Sequence, residues 1–162
     1  DLLDEIPVDA CRWFFNAKPE TQMEFDLGLA VREDSENPVY YVQYAYARIC
    51  TLLKNLAAEG YSVPRAAEAD LSVLNSEEEK SLIKQLAQYP AVVLLAARDY
   101  DPSFINRYLS DLAAAFHKFY NACRIKGEAE NVLLARLKLA DTARAVLKNG
   151  MTLIGCSAPE KM

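Results

Sequence analysis

Asn37-Pro38-Val39-Tyr40-Tyr41-Val42-Gln43-Tyr44-Ala45-Tyr46-Ala47-Arg48-Ile49 opens a run that meets no further Pro or Gly until Gly60. Asn at the cap, Pro in the first turn and Gly just past the last polar residue, Glu59, punctuate a helix. At about 100° per residue, Val42, Ala45, Tyr46, Ile49, Leu53 and Leu56 share one arc roughly 100° wide. That stripe predicts a long helix with one face in a core. Tyr41, Tyr44 and Arg48 fall together in the neighbouring arc. Spacing alone leaves two readings of them. Tyrosines commonly flank an amphipathic helix with packed rings and wet hydroxyls; the same rings beside an arginine would also suit the stacking of unpaired bases.

Working outward, further helices follow. Upstream, Val8 to Ala17 has Asp9 to cap it and Trp13, Phe14 and Phe15 to bury, and Lys18-Pro19 ends it. From Thr21 to Glu36, Met23, Phe25, Leu27 and Leu29 alternate with polar residues, which predicts a strand-like or irregular connector before an acidic loop. Downstream, Asn75-Ser76-Glu77-Glu78-Glu79 reads as a helix start, with Glu79 three after Ser76 as a capping box requires. The three glutamates are expected to be a solvated helix end, neither a metal site nor a general base. Pro90 separates this helix from Ala91–Arg98. Asp101-Pro102 begins another, to about Arg124, with Phe104, Tyr108, Leu112, Ala115, Phe116, Phe119 and Cys123 on one face and Arg107, Asp111 and Lys118 opposite or beside it. The last helix runs from about Ala129 to Asn149. Its Lys138, Asp141 and Lys148 take one side, Val132, Ala140, Ala143 and Leu147 another, and Gly150 is expected to stop it. Such helices with short connections define an all-α protein, an antiparallel helical bundle.

Composition narrows the function. A chain of 162 residues, 52% hydrophobic and 25% charged, suits one domain with its own core. It lacks a membrane-length apolar run and a secretory leader, so the expectation is a soluble, cytoplasmic protein with no membrane partner. One histidine, His117, excludes multi-histidine metal sites, and no GxGxxG or GxxxxGK loop is present to cradle phosphates. His117 stands at the border of an apolar helix face with no nucleophile near it in sequence, as a hydrogen-bonded border residue would. The acidic first 40 residues offer no carboxylate pair on a shared helix face. Cys11, Cys50, Cys123 and Cys156 form no CxxC pair and read as reduced core residues. The net charge of -5 is segregated, with -7 over residues 1–40, +2 over 41–65, -4 over 66–103 and +4 over 104–162. Two stretches could therefore offer a basic face. A binding module is the reading that remains.

Residues 37 to 49 resemble the NPVYYVQYAHAR segment of bacterial arginyl-tRNA synthetases. Asp9-Ala10-Cys11-Arg12 resembles the DALR tetrad that names the family's anticodon-binding domain, and Phe25-Asp26-Leu27 its FDLDLA stretch. Leu112 to Asn121 resembles its LAxxFHxFYN helix. Asn149 to Met162 resembles its NGLxLLGVxAPExM carboxyl end. The departures are Cys11 for Leu, Gly28 for Asp and Tyr46 for the usual His. The last removes a titratable group from the helix, so no role of that His carries over.

The resemblance implies a bundle of the class I aminoacyl-tRNA synthetase anticodon-binding type. Residues 1–36 would be lead-in and linker from a catalytic half, and residues 37–162 the anticodon-binding domain. The family's HIGH and KMSKS signatures are missing, which implies an excised carboxyl-terminal domain that ends at the native terminus and is inactive alone. The parent would join arginine to its tRNA, with ATP and magnesium used in the catalytic half and no cofactor in this fragment. The implied partners are arginine tRNA, through its anticodon loop, and the catalytic domain of the same chain; DNA is not among them. By position, Tyr41, Tyr44, Arg48, Tyr120 and Met162 would contact the anticodon loop, with Asn37, Gln43, Lys118 and Arg124 as weaker candidates. Asp9, Ala10 and Arg12 would join the domain to the catalytic half. Every arginine anticodon has a central C, so reading that base is useful. A helical protein-interaction module is the alternative, with a related class I synthetase domain such as cysteinyl as a nearer rival.

Overall fold

The computed structural model describes residues 2–19 and 25–162. The helices in chain order are α1 (Leu2–Glu5), α2 (Val8–Ala17), α3 (Leu27–Ala30) and α4 (Pro38–Ala58). A 3₁₀ turn (Leu71–Val73) precedes α5 (Glu77–Ala87), α6 (Tyr89–Asp99), α7 (Ser103–Ala122) and α8 (Glu130–Leu153). No strand occurs among the described residues, and the fold is a helical bundle. α4, α7 and α8 pack against one another, α5 and α6 cover α7, and α2 lies against α7 and α4. Arg136 bonds to Arg124 at one end of the α7–α8 pair, and Gly150 meets Leu109 toward the other, so the two run antiparallel.

The core sits where the apolar stripes converge. Val42, Ala45, Tyr46, Ile49 and Leu56 of α4 are buried, as are Tyr108, Leu112, Phe116 and Phe119 of α7 and Ala140, Ala143 and Leu147 of α8. Trp13 of α2 and Leu82 of α5 extend it. A ring such as Phe116 replaced by Ala would cost about 3–5 kcal/mol in such a core. Tyr46, the residue that departs from the family's His, is wholly inside. Among the cysteines, Cys11, Cys123 and Cys156 are buried, Cys50 is half-buried and all are free.

The punctuation of α4 follows the sequence. It begins at Pro38, and Gly60 just beyond its end takes φ +94°, a conformation Gly adopts without the penalty a Cβ brings. The Ser76–Glu79 capping box is complete in both directions.

Several expectations need correction. Asp9 does not cap α2, whose cap position is Pro7 with no side-chain bond. Of the apolar stripes, Phe104, Ala115 and Val132 are only half-buried. The strand-like connector lies outside the described residues up to position 24. Beyond it Asp26 caps the short α3, its carboxylate accepting from the Leu29 amide at 2.9 Å, so a helical turn replaces the strand. Asn37 occupies the cap position of α4 without capping it; its amide donates to the Ala30 and Arg32 carbonyls and ties down the preceding loop. Gly150 does not end α8, which continues to Leu153 and turns out at Gly155, φ +75°. Gly150 is there for closeness, since a Cβ would stand 2.6 Å from a methyl of the fully buried Leu109. Finally, Glu79 is not solvated. It is 1% exposed and accepts from Arg136 Nε at 2.7 Å.

Candidate nucleic-acid interface

The turn-by-turn spacing of α4 sets Tyr41, Tyr44 and Arg48 on one side, and α7 brings His117, Tyr120 and Asn121 to face them. A pocket of about 430 Å³ between the two helices is lined by Ser35, Tyr40, Tyr41, Tyr44, Arg48, His117 and Asn121. A longer groove continues from Tyr44 and Arg48 past Thr51 and Asn55 to Tyr120, Lys126, Lys161 and Met162.

Within the pocket the rings are ordered by one another. The His117 ring lies 5.0 Å from that of Tyr41 and is stacked 5.9 Å from that of Tyr44. The Arg48 guanidinium rests 4.0 Å above the Tyr120 ring, a cation–π contact. Its Nη1 donates to His117 Nδ1 at 3.4 Å. Arginine has only donors, so Nδ1 must keep its lone pair and the ring hydrogen belongs on Nε2. Burial first, and then the Arg48 charge, lowers the His117 pKa to about 4, so the ring is neutral at pH 7. Tyr44 is 43% exposed and Met162 50%, while Tyr41 and Tyr120 are half-buried. No carboxylate stands in ion-pair range of Arg48 among the described residues.

Tyr41, Tyr44, Arg48, Tyr120 and Met162 therefore share one surface. The weaker candidates do not join them. Asn37 is buried with its amide used by the loop. Gln43 is buried and donates to Asp9 at 2.7 Å. Lys118 and Arg124 are exposed but line neither pocket nor groove, and Arg124 Nε donates to the Lys126 carbonyl at 2.9 Å. Tyr40, His117, Asn121, Lys126 and Lys161 line the site without having been singled out for it. His117 and Asn121 were legible as an i, i+4 pair on one face of α7; the two lysines come from segments without a helical register. Asp9 and Arg12 bond Ser157 and Gly155 of the carboxyl-terminal segment.

This surface can stack planar rings, hold an anion at Arg48 and offer amide and hydroxyl groups to a base edge. Lys54, Lys126 and Lys161 add positive charge along the groove, although Lys126 pairs with Glu59 at 2.5 Å. Among the described residues no cluster of His, Cys, Asp and Glu could hold a metal ion, and no helix is long and apolar enough to cross a membrane.

Known proteins share this architecture. A Thermus thermophilus arginyl-tRNA synthetase superposes with TM-score 0.82 at 28% identity, over 95% of this chain and 26% of that one. A Campylobacter jejuni chain described as an arginyl-tRNA synthetase gives TM-score 0.88 at 37% identity, over 100% of this chain and 35% of its own length. The arginine–tRNA ligase of Acetivibrio thermocellus is 50% identical over the whole of this chain, which spans 29% of that relative. These define the class, a helical domain of the kind that arginyl-tRNA synthetases carry. The profile of the DALR anticodon binding domain matches residues 42–162. The chain belongs to the DALR anticodon-binding domain family.

Proposed function

We propose that this chain is the anticodon-recognition part of an arginine–tRNA ligase and that the anticodon loop of arginine tRNA enters the groove between α4 and α7. The observation that carries the reading is the convergence of Tyr41, Tyr44, Arg48, Tyr120 and Met162, drawn from three distant parts of the chain, on one continuous surface. Tyr41 and Tyr44 stack loop bases, each such contact being worth about 1–3 kcal/mol. Arg48 holds a phosphate or the edge of a base, oriented by Tyr120 beneath it. Met162 closes the groove, and Asn121 offers its amide to a Watson–Crick edge. Because His117 stays neutral, it shapes the pocket without adding charge. Lys118 and Arg124 contribute at most to the surrounding potential.

The parent's reaction, arginine joined to tRNA at the expense of ATP and with magnesium, belongs in this reading to a catalytic domain outside these 162 residues and in the cytoplasm. The fragment by itself is inactive.

Filter binding to arginine tRNA, and to the same tRNA with its central anticodon C replaced, tests the proposal. The expected result is a weaker complex with the altered tRNA, and affinity that falls steeply as salt is raised. Equal affinity for the two RNAs would overturn the base-reading role. Binding indifferent to salt would point instead to an apolar protein partner.

A further inference from the structure

α2 contacts the carboxyl-terminal segment through side chains that do not line the groove. Asp9 is at the centre. Gln43 Nε2 donates to its Oδ2 at 2.7 Å and the Ser157 amide donates to its Oδ1 at 3.1 Å, while the Ser157 hydroxyl donates to Oδ2 as well. The same Gln43 amide reaches the Ser157 carbonyl at 3.1 Å. Further along the helix, Arg12 Nη1 donates to the Gly155 carbonyl at 2.6 Å and Asn16 Nδ2 to the Ile154 carbonyl at 3.1 Å. Positions 9, 12 and 16 follow one face of a helix, so these bonds form a ladder along residues 154–157. Gly155 turns the chain into it, and a Cβ at that position would press on the Arg12 side chain at 3.3 Å. Burial, and then the Asp9 carboxylate, push the neighbouring Cys156 thiol up to about 12, so it stays protonated inside the ladder.

Beyond Ser157 the chain has no regular structure, yet Lys161 and Met162 form a wall of the groove beside Tyr44, Arg48 and Tyr120. An irregular tail left to itself samples many conformations, and fixing each residue is opposed by entropy. Something must therefore start it from a defined place and direction.

We propose that Asp9, Arg12 and Gln43 are positioning residues for the groove: they clamp residues 154–157 so that the tail delivers Lys161 and Met162 to the RNA. The inference rests on the groove being the RNA site. It gives the two polar members of the Asp9–Arg12 tetrad a task inside this domain, while Ala10 and Cys11, both buried, pack in the core.

The test is a double-variant cycle read as affinity for the anticodon stem–loop of arginine tRNA, using the wild-type chain, Asp9→Ala, a chain lacking residues 158–162, and the combination. Asp9→Ala should weaken binding about tenfold, as expected for loss of charge-assisted hydrogen bonds, and the combination should bind no more weakly than the truncation alone. Additive losses would overturn the proposal, because Asp9 would then act independently of the tail. So would an unchanged affinity for Asp9→Ala alongside a truncation that weakens binding. Should Asp9→Ala fail to fold, Ser157→Ala at an exposed position replaces it in the same cycle, with the same expectation and an unchanged unfolding midpoint. If truncation has no effect while Tyr44→Ala still weakens binding, the clamp falls and the RNA groove stands. If Tyr44→Ala is also without effect, both fall.

Discussion

Arg136 on α8 and Arg48 on α4 carry the same guanidinium into different surroundings. Arg136 is satisfied from within. Its Nε donates to the buried Glu79 carboxylate at 2.7 Å, its Nη1 donates to the Arg124 carbonyl, and Glu128 stands 3.9 Å away. Burial pushes the Glu79 carboxyl up, but the bonds from Arg136 and Ser76 more than offset it and leave its pKa low. Arg48 rests on a tyrosine ring and a neutral imidazole, with no carboxylate paired to it among the described residues. An arginine whose charge is matched stabilises; one whose orientation is fixed but whose charge is not matched is ready for an outside anion. The first contributes to the fold; the second, in the proposed reading, contributes to binding.

Substitution can break or sharpen that contrast. The largest effect is expected for Arg136→Ala, which strands a carboxylate inside the bundle and should cost about 3–5 kcal/mol in urea unfolding. The folded fraction should bind RNA as before, and a loss under 1 kcal/mol would mean that Glu79 is not held as described. Tyr44→Ala should leave the unfolding midpoint nearly unchanged and weaken RNA binding by about 1–3 kcal/mol in titrations. Arg48→Gln should reduce the slope of log affinity against log salt by about 1 if it holds a phosphate, with little change in stability. An unaltered slope would assign Arg48 to the ring contact alone.

A last test uses pH. His117 has a folded pKa of about 4, below the unfolded 6.5, so the unfolded chain binds the proton first. Its contribution to stability is complete above pH 6.5 and is lost as pH falls toward about 4. Midpoints for wild type and His117→Gln should therefore converge over that window, and parallel curves would show that the imidazole is not kept neutral by its neighbours.

Local chemistry made much of this fold legible. Pro38 and Gly60 bound α4, the Ser76–Glu79 box starts α5, and the stripes on α4 and α7 pick out much of what those helices bury, because each signal lies within a few residues of its effect; on α8 the stripe finds Ala140, Ala143 and Leu147 but passes over Leu133, Leu137 and Met151. What escaped depends on distant partners. Glu79 reads as a surface residue until Arg136, 57 positions later, reaches it. Gly150 reads as a stop until Leu109 is seen against it, and Asp26 caps a single turn too short to leave a period. For the site, the α4 face follows from helical spacing, but its meeting with Tyr120 and Met162 came through resemblance to a family. Gln43 and Asn37 stood in the right segment, yet nothing in one strand of sequence told which side chains turn toward Asp9 or toward the preceding loop.

The position of Met162 also bears on how this protein can be handled. Lys161 and Met162 line the groove beside Tyr44 and Arg48. A purification handle fused after residue 162 would begin inside the surface being assayed, and a histidine tag there would bring its own titrating rings next to Arg48. Handles, fluorophores and surface tethers belong elsewhere, for instance on Lys80 of α5, exposed and outside the groove lining.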